Sequence, residues 1–402
     1  MKKSWIILSV IIIAVANNAC NHSNTSPQSM PDLTHLNFTT EEDTTWSNLF
    51  IRNHGWLGGD GIFEVTMDGD ETMGHAEKSP TLIWFSDSQI GDVENNKLKG
   101  KADSIIHNAA AVLSGGQPNG NTINFYWDTT GGHSDAIFKP SSPASQPNEY
   151  YWLGDAFVNQ SLNNDIFLFG YRIKSTLDNP GFSFKVTGNT MIHIPAGNPP
   201  QFANQKQMDI PFYLGRDPDS VGTFGNGILV NTKEAGEANG DGYVYIYGVR
   251  HGEVIVARVL PQDIEQFAKW TFWNGKDWAT DAYAAATVAT HASNELSVTR
   301  LEDGRYLMVF TSDGVGDKIS ARLGASPYGP FGQIINLYTI PASVYETPNY
   351  FTYNAKAHPV LSKPGELLVT YNINSRNYFN DIVTHPNFYR PRFVKLKYQL
   401  DK

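Results

Sequence analysis

Five stretches of the chain repeat one plan, and that repetition narrows the folds open to it. They read GGDGIFEV from Gly58, LGDAFVNQ from Leu153, GNGILVN from Gly225, SNELSVTRL from Ser293 and KAHPVLS from Lys356. A polar residue heads each: Asp60, Asp155, Asn226, Glu295 and His358. A more apolar run follows every time: TLIWFSDS from Thr81, DIFLFGYRI from Asp165, YVYIYGVRH from Tyr243, RYLMVFTSDG from Arg305 and ELLVTYNIN from Glu366. Short β-branched and aromatic runs between Gly, Asn, Asp and Pro turns are strand signals. Further strand-like runs bring each module to roughly four strands, at a period of about 50 to 70 residues. Aromatics at 12% and 35 glycines suit such a turn-rich chain. The expectation is an all-β fold, a five-bladed β-propeller. A β-sandwich pair or a β-helix shares the same alternation. WSNLFIRNHGW from Trp46 reads as a short helix or an edge strand, and PQDIEQFAKW from Pro261 has a helical look.

The N-terminus divides differently. Lys2 and Lys3 precede an apolar run from Trp5 to Ala16, then small residues, then Cys20, the sole cysteine. That run is short for a membrane span and reads as an export signal. A lone thiol at the cleavage point fits a lipid-modified first residue, so residues 1–20 are expected to be a lipoprotein-type signal peptide. Cleavage near Ala19 with Cys20 incidental is the alternative. Residues 21–45 are expected to be a flexible tether, richest in Ser, Asn, Thr and Pro from Asn21 to Leu36. Residues 46–402 are expected to form a single propeller domain. The protein would then sit at the outer membrane or cell surface, or else in the periplasm, touching membrane only through its anchor. The net charge of -10 leaves no basic surplus for nucleic acid. A monomer is expected.

In a propeller the innermost strand of each blade lines the axis and its neighbour runs antiparallel, so the start of one and the end of the next share a face. Paired in this way, the heads form a ring: Asp60 with Asp87, Asp155 with Arg172, Asn226 with Arg250, Glu295 with Asp313, and His358 with Asn372. Asp60, Asp87, Asp155 and Glu295 would converge on one funnel. Clustered carboxylates raise one another's pKa, so one can stay protonated beside an ionised neighbour. One proton donor and one base are the minimum equipment for glycosidic bond cleavage. Trp56, Trp84, Trp127, Tyr151 and Trp152 lie near the mouths as platforms for sugar, and Arg172 or Arg250 would grip it. Each residue also has a plain structural reading: Asp60 and Asp87 as turn residues, His358 as a satisfied core histidine. No Gly-x-Ser-x-Gly, HExxH, Walker loop or cysteine pair competes.

GDGIFEV followed by LIWFSDSQIG, then YYWLGDAFV, ASPYGPF from Ala325 and YNAKAHPVLS with GELLVTYNIN, resemble the five-bladed propeller superfamily of arabinanases, xylosidases and fructosidases. The nearest resemblance is to an uncharacterised lipoprotein branch related to endo-D-arabinanases. It implies catalytic acids at Asp60 and Asp87 by one carry-over, with Ser86 where that branch has Gly, and at Asp60, Asp155 and Glu295 by another. It implies Asp60 as base or nucleophile, Asp87 or Glu295 as acid and Asp155 as pKa modulator. Trp56, Trp152, Arg172, Arg250, Asn226, Asp313 and Asn372 would bind substrate. No cofactor is required, though a central Ca2+ held partly by His358 fits the superfamily. The expected function is an exported glycoside hydrolase acting on a furanose- or pentose-containing polysaccharide. The alternatives are a non-catalytic glycan-binding propeller at the cell surface and a scaffold with a disused funnel.

Overall fold

The computed structural model describes residues 31–99, 104–176, 184–213 and 222–400. The export signal, Cys20 and residues 21–30 of the tether lie outside the described residues. Among these residues α-helix is confined to Thr44–Leu49 and Tyr378–Thr384, and the rest of the regular structure is strand and single 3-10 turns. The chain is all-β.

Five antiparallel sheets follow one another along the chain. The first holds Phe63–Thr66, Thr81–Phe85, Ala109–Leu113 and Ile123–Tyr126. The second runs Glu149–Asn159, Asp165–Ser175, Phe184–Ile194 and Lys206–Asp209. The third runs Thr223–Asn231, Tyr243–Arg250 and Glu253–Val259, then the hairpin Thr271–Trp273 with Trp278–Ala279. The fourth runs Leu296–Arg300, Tyr306–Thr311, Lys318–Gly324 and Ile335–Thr339. The fifth is Tyr350–Ala357, Glu366–Ser375 and Arg392–Gln399, with the N-terminal strand Asn37–Glu42 on its outer edge. A smaller sheet of His54–Gly59, Ser88–Glu94, Lys97–Lys99 and Ile105–Ile106 adjoins the first.

The apolar runs become second strands, and their burial explains their composition. Leu82 to Phe85, Ile166 to Phe169, Val244 to Tyr247 and Leu307 to Phe310 are all at most 2% exposed. Covered on both faces, they read as continuous hydrophobic segments rather than as alternating ones.

Side chains and backbone join each first strand or its neighbour to the next sheet. Trp84 Nε1 donates to the Gly154 carbonyl (2.8 Å), and the Ile228 amide donates to Asp155 Oδ2 (2.7 Å). Asn226 Nδ2 donates to the Asn294 carbonyl (2.5 Å), and the Ala357 amide donates to Ser297 Oγ (2.8 Å). His358 Nδ1 meets Glu64 Oε2, linking the fifth sheet back to the first. The five first strands all contribute to one cavity of about 350 Å³, lined by Glu64, Asp155, Ile228, Ser297 and Lys356 among others.

The expected tether is corrected at its end. Asn37–Glu42 pairs antiparallel with Arg392–Gln399, and Leu36 is buried. This strand fills the unpaired edge of the last sheet, a tertiary role that polar composition hides. WSNLFIRNHGW is divided between the helix Thr44–Leu49, capped by Asp43, and the strand His54–Gly59. PQDIEQFAKW forms two 3-10 turns.

Candidate active site

The first strand-head pair lies as the antiparallel register requires. Phe63 stands opposite Trp84. Continued outward, the ladder carries Asp60 to Asp87, whose backbones exchange bonds: the Asp60 amide donates to the Asp87 carbonyl (3.2 Å), and the Ser86 amide donates to the Asp60 carbonyl (2.8 Å). Gly61, at φ +65°, makes the turn. A Cβ there would stand 3.2 Å from Glu295 Oε1, so the turn and the Glu295 carboxylate are close neighbours.

Asp60, Asp87 and Glu295 thus share one mouth. Burial first, then the charge of Asp87, pushes Asp60 up to about 8, and the charge of Glu295 adds to this. Tyr353 opposes the shift by donating its hydroxyl to Asp60 Oδ2. Asn374 Nδ2 donates to that hydroxyl in turn (3.0 Å), and the Tyr389 hydroxyl is anchored on the Asp87 carbonyl (3.0 Å). The Asp87 carboxylate, a quarter exposed, bonds His107 Nδ1 (2.9 Å). Burial also raises Glu295, against the pull of Lys356, whose ammonium is ion-paired with it. Asn354, at φ +59°, turns its amide onto Glu295 Oε1 (2.7 Å). Lys356 is 1% exposed and lies 4.2 Å from the Phe63 ring centre. This arrangement can hold a proton on Asp60 at neutral pH beside a second, partly exposed carboxyl group.

Asp155 stands in the bulge between Leu153 and Ala156 and lines the cavity of about 350 Å³. Its carboxylate accepts from the Ala156 and Ile228 amides (2.8 and 2.7 Å). Burial pushes it up to about 8, and the charges that act on it are Glu64 and Lys356. Neither Asp60 nor Asp87 is among the groups that shift it.

The other expected residues are dispersed. Trp56 is 1% exposed, its ring between Phe85 and Phe125 and its Nε1 donating to Ser88 Oγ (3.2 Å). Its role is core packing, not a platform, and Trp84 and Tyr151 are buried likewise. Arg172 is 5% exposed and held by Glu149 (3.5 Å) and Asp209 (3.3 Å), leaving no grip for substrate. Arg250 reaches the Ala285 carbonyl (3.4 Å) and Glu253 (4.0 Å). Asn226, 1% exposed, ties the third sheet to the fourth. Asp313 lies out on the rim, bonded to His291 Nδ1 (2.7 Å). Asn372 donates to the Gly59 carbonyl (3.3 Å) beside Asp60, supporting that turn rather than entering the mouth. Trp152 is half-buried beside Tyr150 and Phe184.

His358 requires the largest correction. Its amide bonds the Leu368 carbonyl (2.9 Å), not the neighbourhood of Asn372, whose cross-strand partner is Tyr353. The fifth first strand runs Tyr350–Ala357 and stops before Pro359, so His358 stands at its far end. Tyr353 and Asn354 occupy the mouth instead. Both ring nitrogens of His358 are engaged, by Glu64 and by Thr370 Oγ1 (2.6 Å), leaving neither for an ion. Among the described residues no three His, Cys, Asp or Glu side chains are grouped to hold a metal. The side chains present do not fit a central Ca2+ held by His358.

Tyr353, Tyr389, His107 and Lys356 escaped the sequence reading. YNAKAHP contained two of them, and starting that strand at Tyr350 rather than Lys356 would have found Tyr353.

A family model described as Domain of unknown function (DUF5005) matches residues 43–398. No curated protein matches the chain. A solved structure from Bacteroides ovatus ATCC 8483, provisionally described as a hydrolase, is similar over 92% of this chain and 97% of that one, at 20% identity and a TM-score of 0.68. The catalytic domain of a GH62 alpha-L-arabinofuranosidase from Coprinopsis cinerea aligns over 90% of this chain and 97% of that one at 10% identity, with a TM-score of 0.46. The first of these similarities is one of fold, and the second is too distant to bear on function.

Proposed function

The chain belongs to the family described as Domain of unknown function (DUF5005), and we propose that its mouth site hydrolyses glycosidic bonds. One observation carries this reading. Asp60, half-buried, is pushed up to about 8 beside Asp87, whose carboxylate is a quarter exposed and bonded to His107. A carboxyl group that keeps its proton next to an accessible second carboxylate is the acid–base equipment of glycoside cleavage. The structurally similar Bacteroides ovatus protein, provisionally described as a hydrolase, agrees with it.

Asp60 is assigned here as proton donor, the reverse of the base role that the resemblance implies, because burial favours its neutral form. Asp87 is assigned as the base or nucleophile. Glu295, ion-paired with Lys356, adds to the affinity of Asp60 for its proton. Five successive sheets, linked first to second and onward to the first again, support a five-bladed propeller with this site at one end of its axis. The Trp5–Ala16 run ending near Cys20 supports export and a lipid anchor at the cell envelope. A furanose- or pentose-containing polysaccharide is the substrate class that the resemblance supports.

The test is reducing-end release from arabinan, arabinogalactan, xylan and galactan by the wild type and by Asp60→Asn. Release by the wild type is expected, with a loss of roughly a hundredfold or more in the variant. Equal release by both, or none by either, would overturn the assignment. Retention of a glycan without turnover would favour a binding module.

A further inference from the structure

Alternation along Glu149–Asn159 separates two faces. Tyr151 and Leu153 are at most 1% exposed, whereas Tyr150 and Trp152 on the opposite face are half-buried. That second face starts a row of rings. The His107 ring, whose Nδ1 bonds Asp87, stacks on Tyr150 with centroids 3.7 Å apart and planes 12° apart. Tyr150 meets Trp152 edge-on at 6.2 Å, and Trp152 meets Phe184 edge-on at 4.4 Å. Phe184 ends the row at 41% exposure, among the few large apolar side chains the described residues leave in water. Asp87, His107, Tyr150, Trp152 and Phe184 therefore form one unbroken chain of contacts leading from the candidate acids onto the second sheet.

We propose that this row is a glycan subsite holding a segment of a polymeric substrate that continues past Asp87. The proposal rests on the hydrolase reading of the mouth. The occupant follows from continuity: the row starts at a carboxylate of that site, so whatever covers it is attached to what reacts there. The ligand chemistry follows from the surface. Rings that are apolar on their faces and polar at the Nε and hydroxyl tips match the C–H face and hydroxyl rim of a sugar ring. A contiguous row of part-exposed aromatics ending in an exposed one suits a ligand-binding groove. The substrate is then bound over several units, and affinity for the polymer exceeds affinity for a single glycoside.

The experiment compares the wild type, Trp152→Ala and Trp152→Phe on two probes: soluble arabinan or xylan, whichever the wild type cleaves, and the matching nitrophenyl monoglycoside. The ratio of kcat/KM for polymer to kcat/KM for monoglycoside is expected to fall about tenfold in Trp152→Ala, the size of one stacking contact. Trp152→Phe should restore most of it, which a folding defect would not. An unchanged ratio would overturn the subsite even if hydrolysis itself were established. Should the wild type turn over no probe, electrophoresis through gels containing each polysaccharide decides independently of the hydrolase reading. Retardation that is lost in Trp152→Ala and kept in Trp152→Phe supports the subsite. Equal mobility of the wild type and Trp152→Ala in every gel removes it.

Discussion

Asp60 is pressed from three directions, by its own burial and by the charges of Asp87 and Glu295, and relieved from one, by the Tyr353 hydroxyl. Two outcomes follow at this scale. Its folded pKa of about 8 lies above the ordinary 3.8, so the native state binds the extra proton. The stability this group contributes is therefore highest below the unfolded value, declines as pH rises toward 8, and is flat above it. Asp60→Asn removes this penalty. Its Tm should exceed that of the wild type, by a margin that widens between pH 5 and pH 8 in thermal melts, even as turnover disappears. Tyr353→Phe should act oppositely on the proton. Without the donated hydrogen bond the ionised form is less favoured, so the alkaline limb of the kcat/KM–pH profile should move up by about one pH unit. A limb that stays put would show that another group limits the alkaline side.

Among the elements, the N-terminal strand and the bulges matter most. Asn37–Glu42 closes the edge of the last sheet, and behind it Asp43 caps the next helix while bonding Lys395 (3.2 Å). Removing residues 32–43 should expose the Arg392–Gln399 edge and uncover buried side chains near Leu36. The Tm should fall by several degrees or more, and sedimentation should report self-association, the usual fate of a bared edge. Bulges at Leu153/Ala156, Phe224/Gly227 and Tyr353/Lys356 interrupt three first strands at the same level. Each turns a polar residue out of the ladder: Asp155 onto the Ile228 amide, Asn226 onto Asn294, Asn354 onto Glu295. The bulge is thus the device that turns these polar groups toward the neighbouring sheet.

At the scale of the molecule, the Glu64–His358 contact joins residues from opposite ends of the domain. Burial raises Glu64 and lowers His358, so both sides of the contact favour their uncharged forms. His358→Leu strands the acid, and the denaturant midpoint should fall by an amount equivalent to about 1–3 kcal/mol. Adding Glu64→Leu should recover part of that loss. A single variant as stable as the wild type would show that the link does not hold the first and last sheets together. The amino-acid sequence alone determined most of the strands, their turns and four of the five repeated strand pairs, because alternation, continuous apolar runs and Gly or Asn breaks act within a few residues. It also placed Asp60 opposite Asp87, since consecutive antiparallel strands fix that register. Which side chains meet across hundreds of residues was decided only by the tertiary structure. Tyr353 rather than His358 reaches Asp60, Lys356 rather than an arginine faces Glu295, and Trp56 is enclosed while Trp152 is not. A shift of a few residues in where a strand begins, or one inserted bulge residue, costs little locally, yet it exchanges the residues that stand at the mouth.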